Sequence, residues 1–126
     1  MDTNISMEYL EDLGSLIQVN PESTVSRTVL RAEGVKVVLF AFDAGQELTE
    51  HTAAMPVLIH VLDGHLEVTA AERTVSLGPG GVIHLGTRCP HALVATEPTR
   101  MVLTMMDARQ VAAKEAAYVD IKGASA

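Results

Sequence analysis

The chain has 126 residues, 48% of them hydrophobic, which is enough for one domain around one core. Its formal net charge is −7 with no Lys/Arg run, which excludes the basic footprint of a nucleic-acid binder. No apolar stretch reaches the roughly 18 residues of a membrane helix, the acidic start MDTNISMEYLEDLG lacks a signal-peptide pattern, and the single cysteine, Cys89, can form no internal disulfide. A cytoplasmic protein is expected, with neither nucleic acid nor membrane as partner.

Residues 1–25 are weakly patterned. The segment MEYLEDLGSLIQV holds either a short helix or an irregular arm, and NPES after it is a turn signal. From residue 26 the signal becomes β. SRTVLRA stops at Glu33-Gly34, and VKVVLFAFDAG stops at Gly45. PVLIHVLDG is mostly apolar, so burial on both faces is expected. HLEVTA and RTVSLG flank the dipeptide Ala71-Glu72 and read as a hairpin. The break GPGG precedes VIHLG, CPHALVA and TRMVLTMM. Short strands at close spacing, divided by Gly and Pro, predict an all-β sandwich or barrel over 26–106 rather than βαβ units. In the tail, Asp107 is a candidate N-cap, and Ala108, Ala112, Ala116 and Val119 recur at helical spacing. A short helix followed by a frayed end is predicted over 107–126.

Two spacings stand out. Gly45 is followed by His51 and then Gly64, and Gly80 is followed by His91. With LFAFDAGQELTEHTA, VLDG and PHALVA, this order resembles the cupin superfamily, and in particular small single-domain bacterial cupins. The resemblance covers about Ser26 to Met106. It implies a cupin or jelly-roll β-barrel, to which the tail adds the short C-terminal helix. It also implies a metal site of three His and one Glu. Here the second His position is Ala53 and the Glu position is Val57. In the second motif, Gly86, Arg88 and Ala95 replace the family's Pro, Gly and Asn. Only His51 and His91 keep ligand character, and two imidazoles hold a divalent ion weakly. No cofactor is expected, and no metal site. The alternative is a weakly held divalent ion on His51 and His91, with Cys89, two residues before His91, as a third ligand.

The expected pocket is lined by His51, Met55, Val57, Ile59 and His91, with some of Phe40, Phe42, Met101, Leu103 and Met105. The plain reading of the same residues is core. His60 should face away from Val57, packed between sheets or at a subunit contact, and His65 should be exposed. His84 is ambiguous. Glu47, Glu50 and Asp63 read as solvated turn charges. Catalytic residues cannot be named, because no second catalytic group stands beside either histidine.

Three readings follow. The first is a cupin of unknown specificity that binds a small molecule without turnover. The second is a metal-dependent oxygenase or isomerase with altered ligands. The third is a structural or regulatory dimer with a vestigial pocket. A homodimer is expected in each case, because antiparallel sheet edges must be covered and the cupins it resembles commonly pair.

Overall fold

The computed structural model describes residues 6–107. The helix expected in the tail lies outside the described residues. An arm with one 3-10 turn, Leu13–Leu16, leads into nine strands. These are β1 (Thr24–Ala32), β2 (Val35–Phe42), β3 (Glu47–His51), β4 (Val57–Asp63), β5 (Leu66–Ala70), β6 (Arg73–Leu77), β7 (Val82–Leu85), β8 (His91–Ala95) and β9 (Thr99–Met106). They form two antiparallel sheets, a five-stranded one ordered β1-β2-β9-β4-β7 and a four-stranded one ordered β3-β8-β5-β6. The predicted all-β sandwich or barrel is the observed architecture.

The core follows from strand alternation. Val57, Ile59 and Val61 of β4 point inward with Leu66 and Val68 of β5 and Leu93 of β8, all 2% exposed or less. Each such side chain stabilises the fold by about 2 kcal/mol through burial. The wall between the sheets also includes Phe42 and Met101, with Phe40 stacked on Phe42 at a centroid distance of 5.9 Å. β4 corrects one expectation. It is buried on one face only, with His60 exposed on the other. Its run of apolar residues reflects a second, shallower cluster outside the five-stranded sheet. There Ile17 of the arm packs with Leu39, Ala41 and Val102, and Leu62 of β4 joins them. The arm is thus the cover of that sheet's outer face.

One end of the sandwich is tightly pinned. Gly64, between β4 and β5, has φ +92°, and an added Cβ would stand 2.5 Å from the Thr99 Cα. Thr99 is fully buried, and its hydroxyl accepts the His65 N–H at 2.9 Å. Arg100 binds the Asp63 carboxylate through Nε and Nη2 and donates from Nη1 to the carbonyls of Gly14 and Ile17. Hydrogen bonding to Asp63 raises the Arg100 pKa further, so its charge is permanent. At the same end Asp43 accepts the N–H groups of Glu22 and Ala44, which lower its pKa.

Candidate functional site

The opposite end is built differently. Register places a single row across the four-stranded sheet. His51 of β3 pairs with His91 of β8, His91 with Ala70 of β5, and Ala70 with Arg73 of β6. The next row inward holds Leu48, Leu93, Val68 and Val75, and the row after it holds Ala95, Leu66 and Leu77. The inner face is therefore apolar through two rows and turns basic in the last. A bulge between Leu48 and His51 re-aims β3 just before its histidine.

The two imidazoles touch, with ring centroids 4.2 Å apart and planes tilted by 59°. His91 is 5% exposed, whereas His51 lies at the surface. Each Nδ1 sits 2.8 Å from a backbone carbonyl two residues earlier, Thr49 for His51 and Cys89 for His91. A carbonyl can only accept, so each Nδ1 carries the proton. In the neutral rings the lone pairs are on Nε2, which can accept from a ligand hydroxyl or hold an ion.

Beside this row a cavity of about 380 Å³ opens between the edge strands β6 and β7. Val68, Ala70, Val75 and Leu77 form one wall, and Ile83 and Leu85 form another. The polar groups around it are Arg73, His84 and the partly buried Cys89. Cys89 Sγ faces the Pro90 carbonyl at 3.7 Å, and the peptide oxygen of Cys89 orients His91. The rim includes the β5–β6 turn, where Ala71 and Glu72 have φ of 52° and 62°. A two-residue hairpin turn demands positive φ at both places and favours Asn-Gly there. Two non-glycine residues make this turn locally strained.

The expected pocket residues separate. His51 and His91 come together. Val57 and Ile59 are 2% and 1% exposed within the core cluster. Met55 lines another groove at the same end, with Met105, Met106 and Val35. His84 lines the cavity, and His65 is half-buried beside Glu67 at 3.4 Å. Glu47 and Glu50 are exposed strand residues, whereas Asp63 is the partner of Arg100. Sequence reading missed Arg73 and the β6 wall. The alternation Arg73, Val75, Leu77, read across the hairpin from Ala70, was the available signal.

A four-ligand metal centre does not fit these residues. Ala53 and Val57 carry no donor atoms, and Val57 is surrounded by Leu85, Met105 and the core. Among the described residues, no three His, Cys, Asp or Glu side chains are grouped to hold an ion.

The family model described as the cupin domain matches residues 38–107. The chain belongs to the cupin domain family. Among solved structures, this cupin is similar to a conserved Streptococcus pyogenes protein of unknown function at 27% identity. That match covers 83% of this chain and 92% of the other, with a TM-score of 0.71. A Desulfitobacterium hafniense cupin superfamily protein shares 22% identity over 82% and 95% of the two chains, again at 0.71. An RmlC-like cupin protein from Desulfovibrio desulfuricans shares 25% over 80% and 97%, at 0.69. No curated protein matches the sequence. No helix among the described residues is long and apolar enough to cross a membrane.

Proposed function

We propose that this cupin binds a small, largely apolar molecule in the cavity between β6 and β7, without turnover. The observation that carries this reading is the cavity itself. Its volume of about 380 Å³ lies within the range of small-molecule sites, and apolar walls with a few convergent polar groups are the usual composition of such sites. His91, one row position beyond Ala70, presents its Nε2 as an acceptor for a ligand hydroxyl at the edge of the cavity. A divalent ion on this pair is held weakly, because half of the family's donor positions are alanine and valine.

The test is thermal denaturation with straight-chain C6 to C8 alcohols, on the parent and on Val75→Trp, which fills the cavity. Stabilisation that grows with alcohol concentration is expected for the parent and is lost in the variant. No shift in the parent, or equal shifts in both proteins, refutes the reading.

A further inference from the structure

Resting on that reading of the cavity, we infer that its ligand carries a carboxylate, and that Arg73 is the residue that selects it. The register puts Arg73 on the inner face of β6, in line with Val75 and Leu77 below it and with Ala70 beside it. Its side chain is a wall of the cavity, yet among the described residues it has no ion pair and no hydrogen bond to the protein. The guanidinium is exposed at the mouth of the cavity, beside its apolar wall, and no carboxylate is paired with it among the described residues.

The charge distribution agrees. Arg31, Lys36, Arg73 and Arg88 are four of the six Lys and Arg residues in the described chain, and all belong to this end of the sandwich, with His51, His84 and His91. That end also carries Glu33, Glu50, Glu72 and Asp107 and is near neutral, whereas at the pinned end Asp12, Glu22, Asp43, Asp63 and Glu97 outnumber Arg100. A dipolar protein of this kind directs an anion towards its less negative end. The guanidinium fork matches a planar carboxylate through two parallel hydrogen bonds. Ala70 leaves open space between Arg73 and His91, whose strands are about 10 Å apart, two strand spacings. A carboxylate paired with Arg73 therefore lies over Ala70, with its apolar body among Val75, Leu77 and Ile83.

The test compares straight-chain C6 to C8 carboxylates with the matching alcohols by titration calorimetry, on the parent, Arg73→Met and Arg73→Lys. Arg73 is exposed, and methionine keeps its aliphatic stem, so both variants fold. At low salt and neutral pH the parent should prefer each carboxylate over its alcohol by at least ten-fold. Arg73→Met should lose that preference, its acid-to-alcohol affinity ratio falling to about one, and Arg73→Lys should retain part of it. Equal binding of acid and alcohol by the parent overturns the inference and leaves the cavity reading intact. A carboxylate preference that survives in Arg73→Met also overturns it. Binding of neither probe overturns both.

Discussion

The two ends of the sandwich solve different problems with the same strands. At the end that holds Gly64, Thr99 and Arg100, backbone and side-chain groups satisfy one another, and the cation present is fully engaged. At the end that holds His51, His91 and Arg73, the turn is strained, a cavity opens, and the guanidinium has no protein partner among the described residues. Groups that are saturated with protein partners stabilise the fold, and groups left unsaturated are free to meet a ligand. The contrast predicts that substitutions at the pinned end change stability alone, whereas surface substitutions at the open end change binding.

The most severe test is Ala53→His with Val57→Glu, which restores the family's donor set. Val57 is 2% exposed, so the apo double variant should lose about 4 kcal/mol in urea unfolding, the scale of an unpaired buried polar group. Added nickel should return much of that loss, since it binds only the folded state, while the parent gains little. Equal gains in both proteins would reveal a metal site in the parent and break the comparison. Gly64→Ala should cost about 3 kcal/mol, through its positive φ and its collision with Pro98 and Thr99. Alcohol binding should be unchanged wherever the variant is folded, and a weakened affinity would show that the pinned end also shapes the cavity.

A smaller loss is expected from Arg100→Met. It removes the Asp63 pair and the two bonds to the arm. The half-exposed carboxylate screens the pair, leaving about 1–2 kcal/mol. Limited proteolysis should then cut the arm before the barrel, and cleavage unchanged from the parent would mean that Ile17 and its apolar neighbours hold the arm alone. The smallest effect has the opposite sign. Ala71→Asn with Glu72→Gly supplies the residues that positive φ favours, and should raise stability by about 1 kcal/mol. A loss instead would show that the turn residues make contacts that offset their strain.

Much of the sandwich was legible in the residues. The β-branched and apolar runs of β2, β5, β6 and β8, divided by Gly, Pro and the Ala71-Glu72 hairpin, mark strands because such side chains favour an extended backbone and the breaks interrupt it. The short β3 was harder to read, since Glu47, Thr49, Glu50 and His51 are all exposed and a strand at a sheet edge shows little apolar alternation. The two-faced burial expected for β4 also failed, because a composition of Val, Leu and Ile does not say whether the outer face is covered by the arm or by solvent.

The sequence by itself determined that His51 and His91 are spaced as in the cupin family and that Ala53 and Val57 cannot replace the missing donors, since ligand chemistry belongs to side chains whatever their surroundings. Only the tertiary structure decided that the two imidazoles touch, that Val57 and Ile59 are core while the opening lies at β6 and β7, and that Arg73 completes their row. Those facts depend on which strands become neighbours and in what register. Long-range pairing sets both, and local pattern carries no record of it.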